Sequence, residues 1–370
     1  MENLKPKVRD YGNIYRFIHK EKQCSRQQIS DHLELSLPTV TQSLNLLKED
    51  NLIYISGTCK SSGGRKANMF SCVPNARYAV GIDITRNHLS MVLIDLNLEI
   101  IAKKRMRLAF EDTTGYYENL CNELELFLDT QNLDRKKLLG VGISLPVIIE
   151  SDNMTISYAS VIHISGNVYQ HLKSRMKYPF LFFNDASSAG IAESSFYHTD
   201  LPSVYLFLSG SVGGAFLNSG KLFPGRNNRA SEFGHMCIVP NGRQCYCGRY
   251  GCLDAYCSSK EFTAFTNGNL EQFFVELNAG NKGYRRVFNE YIKHLALAIN
   301  NLRMCYDCDI ILGGTIGVYL NEYLKEIRQT ALALNPFETN GNYIQSCHYQ
   351  TEAAAVGAAI HYVNEFIQNM

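Results

Sequence analysis

The spacing of apolar positions changes character along the chain. Between residues 10 and 22, Ile14, Phe17 and Ile18 recur at helical spacing among charges. Ser25-Arg26-Gln27-Gln28 then forms a capping box that opens a second helix through Ile29 and Leu33. A third helix follows, with Ser36 as its cap, Pro38 in its first turn and Val40, Leu44 and Leu47 on one face. Leu52–Ser56 and Asn68–Val73 read as short strands flanking Lys60-Ser61-Ser62-Gly63-Gly64-Arg65-Lys66, a basic hairpin tip. From Tyr78 the pattern is α/β. Strands are predicted at 78–84, 89–94 and 100–108, a helix at 116–128 and a strand at 138–145. Phe180–Phe183 runs as a strand into Asn184-Asp185-Ala186, the start of a helix rich in alanine and serine. Strands return at 204–208 and 214–218. Helices dominate 253–304. A short strand at 310–312 ends in Gly313-Gly314, and 351–367 is a closing helix. The strand cluster occurs twice, which predicts a duplicated, two-lobed α/β body over 77–370 behind a small domain at 1–76.

The charge follows the same division. Residues 1–77 hold 12 Lys/Arg against 7 Asp/Glu, a net +5, and the remainder holds 24 against 28, a net −4. A basic front end suits a polyanion. The solvent side of the third helix offers Thr39, Gln42, Ser43 and Asn45, short hydrogen-bonding side chains suited to base edges in a major groove. Arg65 and Lys66 at the hairpin tip suit phosphates or a minor groove. Double-stranded DNA is therefore the expected partner of this segment. A small helical domain with a solvated basic loop is the plainer alternative.

No apolar stretch reaches the roughly 18 residues of a membrane span, and Met1–Asp10 is polar, so a cytoplasmic protein without membrane contact is expected. Twelve cysteines without a secretory leader argue against a disulfide framework. Three of them sit with a histidine: His235, Cys245, Cys247 and Cys252. One imidazole and three thiolates can close a tetrahedral Zn2+ site, and a closed shell is structural. Gly248 and Gly251 allow sharp turns between the ligands. Cys305-Tyr306-Asp307-Cys308 has Cys-x-x-Cys spacing but no second pair nearby.

The wording Glu232-Phe233-Gly234-His235 followed by Cys-x-Cys-Gly-x-x-Gly-Cys resembles the signature of the ROK family of repressors, open reading frames and sugar kinases. The resemblance covers most of 78–368. It implies a winged helix-turn-helix ahead of an actin/hexokinase-like duplicated fold with a zinc loop, and a ligand in the cleft between lobes. It further implies sugar contacts from Asn184, Asp185, Glu232 and His235. Asp254 stands where relatives usually carry a glutamate, and it is expected among the sugar contacts as a shorter carboxylate that accepts a hydroxyl. In family kinases the aspartate matching Asp185 is the general base. Taken singly, Asp185 could serve only as a helix cap and Glu232 only as a surface ion-pair partner.

The phosphate-binding stretches depart from the family's kinases. Their first loop, Asp-x-Gly-x-Thr, is here Asp83-Ile84-Thr85-Arg86-Asn87. Their second, Gly-Thr-Gly-x-Gly-Gly-Gly, is here Ser209-Gly210-Ser211-Val212-Gly213-Gly214-Ala215. Side chains at glycine positions block the close approach of backbone to phosphate. ATP with Mg2+ is therefore not expected to bind. The usual Pro-Gly near the sugar is Pro146-Val147. The expected protein is a homodimeric or larger DNA-binding regulator that responds to a sugar or sugar phosphate and is not an enzyme. A sugar kinase with a fused DNA-binding domain, or a scaffold for a protein partner, are the alternatives.

Overall fold

A computed structural model describes residues 10–58, 67–159, 161–164, 166–197 and 201–370. The chain opens with α1 (Tyr11–Glu21), β1 (Cys24–Ser25), α2 (Arg26–Leu33) and α3 (Leu37–Glu49), followed by the antiparallel strands β2 (Ile53–Thr58) and β3 (Asn68–Cys72). The predicted capping box is present. The Gln28 N–H donates to Ser25 Oγ at 3.3 Å, and the Ser25 N–H donates back to Gln28 Oε1 at 2.8 Å. Such a cap stabilises a helix by about 1 kcal/mol. Ser36 caps α3 in the same way through the Thr39 N–H. The two-residue β1, which pairs with β3, has no periodicity of its own and was not legible. Arg65 and Lys66 lie outside the described residues.

The body is built on two five-stranded sheets of matching plan. The first combines β4 (Tyr78–Ile84), β5 (His88–Asp95), β6 (Ile100–Arg107), β7 (Leu138–Leu145) and, beyond a small hairpin of β8 (Ile148–Ile149) and β9 (Ile156–Tyr158), β10 (Phe180–Asn184), in the order β10-β7-β4-β5-β6. The second combines β11 (Ser203–Leu208), β12 (Val212–Asn218), β13 (Lys221–Leu222), β14 (Asp309–Gly313) and β15 (Ile344–Ser346), in the order β13-β12-β11-β14-β15. In each, an antiparallel meander carries two further strands in parallel on its inner edge.

Helices α4 (Thr114–Asp129) and α5 (Val168–Lys173) cover the outer face of the first sheet, where Val80, Ile82, Ile143 and Phe182 join their core. α6 (Asp185–Tyr197) leaves β10 directly. The predicted helical stretch 253–304 is broken into α7 (Asp254–Cys257), α8 (Lys260–Thr263), α9 (Leu270–Asn278) and the long α10 (Lys282–Tyr306). With α11 (Gly314–Leu320) and α12 (Leu324–Leu332) these pack on the second sheet. The last helix, α13 (Ala353–Gln368), lies on the first sheet and against α6, which itself lies on the second. The α6–α13 crossing is tight. A Cβ on Gly357 would stand 1.7 Å from the Ser188 carbonyl oxygen, so only glycine fits there.

The N-terminal helices dock on this central pair. Ile14, Tyr15 and Ile18 share one apolar core with Leu96, Ala359, Tyr362 and Val363. The Tyr15 ring meets Phe366 edge-on, with centroids 6.3 Å apart, and Arg16 donates to the Gln368 carbonyl. One continuous packed path therefore runs from the start of α6, through α13, to α1.

Candidate functional site

The strand β10 ends at Asn184 and α6 begins at Asp185, so both side chains are held by regular backbone at the mouth between the sheets. Asn184 Nδ2 donates to the Val147 carbonyl at 3.0 Å, and its Oδ1 accepts the Ser187 N–H at 2.9 Å. One lone pair and one N–H remain for a ligand. Asp185 accepts the N–H of Ala186 at 2.8 Å. Burial, and then the neighbouring Asp83 carboxylate, push its pKa up to about 7. Its second oxygen accepts no bond from another described residue.

These two residues line a cleft of about 370 Å³ together with Pro146, Val147, Glu232 and His235. The 3-10 turn Phe233–His235 places the last two, with Glu232 as its N-cap. Phe233 packs into the core and Gly234 lies against β12. The Glu232 carboxylate is exposed to the cleft.

His235 belongs to two groups at once. Its Nδ1 lies 3.8 Å from Cys245 Sγ, and its Nε2 lies 3.3 Å from the Tyr246 hydroxyl. The donor atoms of His235, Cys245, Cys247 and Cys252 all fall within 4.8 Å of one another, and Cys247 Sγ is 3.8 Å from Cys252 Sγ. Zn–S bonds of about 2.3 Å in a tetrahedron require an S···S edge of about 3.8 Å, so the donor set fits the ion. The loop geometry comes from its glycines. Gly248 and Gly251 have φ of 86° and 81°, and a Cβ on Gly251 would lie 1.9 Å from the Val239 carbonyl oxygen. Cys237 and Cys257 are outside the group. Cys308 is buried in the second core, where burial pushes its thiol up to about 11, while Cys305 is exposed.

Asp254 does not line the cleft. Its carboxylate is buried and accepts the Val212 N–H at 2.7 Å, which ties α7 to the start of β12. The shorter side chain reaches backbone instead of the open cleft, and this corrects its expected place among the sugar contacts. Ser43 is corrected too. It is fully buried and its hydroxyl has no partner among the described residues. Ser43 follows Val40 by three residues, so it shares the inward face with Val40, Leu44 and Leu47. Gln42 and Asn45 are exposed, and Thr39 is half-buried with its hydroxyl on Ser36. Arg26, whose guanidinium donates to Thr41 Oγ1 at 3.1 Å, joins this surface unannounced by any motif.

Four side chains of the phosphate-loop stretches are bonded to neighbours, while Ser211, Val212, Gly213 and Gly214 of the second stretch line the cleft. Thr85 Oγ1 accepts the His88 N–H at 3.0 Å, and the Arg86 guanidinium donates to the Val161 carbonyl at 2.8 Å. Asp83 is buried and accepts the Ser144 hydroxyl, and burial holds its pKa at about 6. Ser209 shares a hydrogen bond with Thr315, and its carbonyl accepts the Ser259 N–H at 2.7 Å. Gly313-Gly314 has a packing reason of its own. Gly314 has φ 80°, and a Cβ there would meet the Leu208 carbonyl oxygen at 2.4 Å.

Sequence reading missed Asn228, whose Nδ2 donates to the Ile149 carbonyl, and the cleft aromatics Tyr158, Phe223 and Tyr246. Isolated aromatics in loops or at the end of a three-residue strand carry no periodic signal.

Two matched sheets facing each other across a central helix pair, with a polar cleft at their junction, define an α/β fold of the actin/hexokinase type. Residues 79–364 match the ROK family, and the chain belongs to it. The DNA-binding transcriptional dual regulator NagC of Escherichia coli (strain K12) is 27% identical over 269 residues, 71% of this chain and 64% of that protein. The xylose repressor of Bacillus subtilis (strain 168) is 26% identical over 247 residues, 66% of this chain and 64% of that protein. The chain thus spans about 64% of the length of these relatives. Among solved structures, a ROK family transcriptional regulator, described as a homologue of the E. coli MLC protein, superposes with a TM-score of 0.76 at 20% identity, covering 98% of both chains. A ROK family glucokinase from Streptomyces griseus, in complex with glucose and AMPPNP, superposes at 0.64 with 21% identity, covering 77% of this chain and 98% of that one. No helix among the described residues is long and apolar enough to cross a membrane.

Proposed function

We propose that this protein is a sugar-responsive transcriptional repressor. In this reading residues 1–76 form a winged helix-turn-helix that binds a DNA operator, and residues 77–370 bind the effector without phosphorylating it. The observation that carries it is a contrast in unused hydrogen-bonding capacity: Asn184, Asp185, Glu232 and His235 line an open cleft, whereas Thr85 and Ser209 of the phosphate-loop stretches lie outside its lining and are bonded to neighbours. The comparisons support it in kind. NagC and the xylose repressor are regulators by name, and the glucokinase chain leaves about a fifth of this chain unmatched, about the size of the N-terminal segment.

Asn184, Asp185, Glu232 and His235 would hold the sugar hydroxyls. Zn2+ on His235, Cys245, Cys247 and Cys252 would supply only rigidity, fixing the turn that carries Glu232 and His235. Asp254 would position that turn through Val212. Gln42, Asn45 and Thr39 would read bases, as α3 of each protomer in a homodimer enters a major groove. Sugar can shift this equilibrium only by binding one arrangement better than the other, and α6–α13–α1 is the packed path that would carry the shift.

The test is a pair of measurements on purified protein. Operator release should respond to sugar, and a coupled ADP-release assay over the same sugars with ATP–Mg2+ should show no turnover. Turnover abolished by Asp185→Asn would establish the kinase reading instead.

A further inference from the structure

The described residues include a rim around the cleft that a single sugar ring does not account for. Tyr158, Phe223 and Tyr246 all line the cleft, yet they are 57%, 57% and 48% exposed. Of the polar residues that would grip hydroxyls, Glu232 is exposed, but Asn184, Asp185 and His235 are only partly so. The cleft therefore grades outward from hydrogen-bonding groups to large apolar surfaces. Exposed aromatics clustered at one opening mark a binding surface, because their contact with water is unfavourable until something covers them.

Tyr158 also borders a second groove of about 740 Å³, which runs past Met154, Ser157, Asn167, Gln170 and Lys173. Its lining mixes apolar faces with hydroxyl, amide and ammonium groups. That is the chemistry of a surface for a polyol, whose rings carry C–H faces between hydroxyl edges. Tyr158 is held in place. It ends β9, pairs with Ile148 in β8, and the turn of that hairpin is pinned when the Phe182 N–H donates to the Asn153 carbonyl at 2.8 Å.

We infer that the effector is a glycan of at least two units. One ring sits among Asn184, Asp185, Glu232 and His235, and the next lies on the Tyr158 ring and enters the neighbouring groove. The inference rests on the sugar-binding reading above and narrows its ligand class.

Isothermal titration of the full chain tests it, with xylose, N-acetylglucosamine and glucose each set against its own β-1,4-linked dimer, and glucose also against maltose. At least one dimer should bind about tenfold more tightly than its monomer, the effect of burying one aromatic face. Tyr158→Ala should bring that dimer-to-monomer ratio close to one, and Tyr158→Phe, which keeps the ring, should preserve it. Monomer binding with no dimer tighter than its own monomer, or a ratio untouched by Tyr158→Ala, overturns the inference while leaving sugar binding intact. Absence of binding by every monomer and dimer overturns the sugar-cleft reading itself, and this inference with it.

Discussion

The cleft and the phosphate-loop positions outside its lining use similar residue types to opposite effect. Asp185 and Glu232 line the open cleft. Thr85, Ser209, Thr315 and Asp83 are equally polar, but each is bonded to a neighbour. A polar atom contributes to ligand binding only with the capacity its own fold has left unused. The same distinction separates neighbours on α3, where Gln42 faces solvent and Ser43 faces the core.

The strongest challenge to this contrast is Cys247→Ser. Loss of one of four ligands should lose the metal, whose contribution to folding in small zinc modules is on the order of 10 kcal/mol, and unfix the turn bearing Glu232 and His235. Metal analysis and sugar titration should both fall to baseline while operator binding without sugar persists; retained zinc would remove Cys247 from the ligand set. Next in size is Asp185→Ala, expected to weaken sugar binding about 100-fold. Ser209→Ala, outside the cleft lining, should change sugar affinity less than about twofold, since its hydroxyl already has a partner. Equal losses at both positions would erase the contrast.

The pH dependence sharpens it. Asp83 and Asp185 are held at about 6 and about 7, above the ordinary carboxylate range. Between about pH 4 and pH 7 the folded chain therefore binds more protons at these sites than the unfolded chain does. Their contribution to stability falls as pH rises through that window. Asp185→Asn should flatten this fall, seen as a smaller difference in denaturant midpoint between pH 5 and pH 8 than in the unaltered chain. An unchanged difference would show that Asp185 titrates normally.

The same comparison can be made on α3. Gln42→Ala should cost about 1–3 kcal/mol of specific operator affinity. Ser43→Ala should leave operator affinity unchanged and raise stability by up to about 1 kcal/mol, because it removes a buried hydroxyl without a partner. Weakened operator binding by Ser43→Ala would return that residue to the reading surface.

Much of this molecule was legible before its structure. The capping box at Ser25, the phase of Val40, Leu44 and Leu47, the doubled strand cluster and the four-donor loop are local patterns, set by helical period, strand alternation and turn chemistry. The converging donor atoms of His235 and the three cysteines needed only a short loop with two glycines. Tertiary structure alone decided which polar atoms remain open. Asp254 turned to Val212 and Ser209 was taken by Thr315, because such a hydrogen bond is a three-dimensional match between groups distant in sequence. It also brought Tyr158, Phe223 and Tyr246 to one rim and joined α1 to α13. Packing between segments hundreds of residues apart leaves no period in the chain by which it could be read.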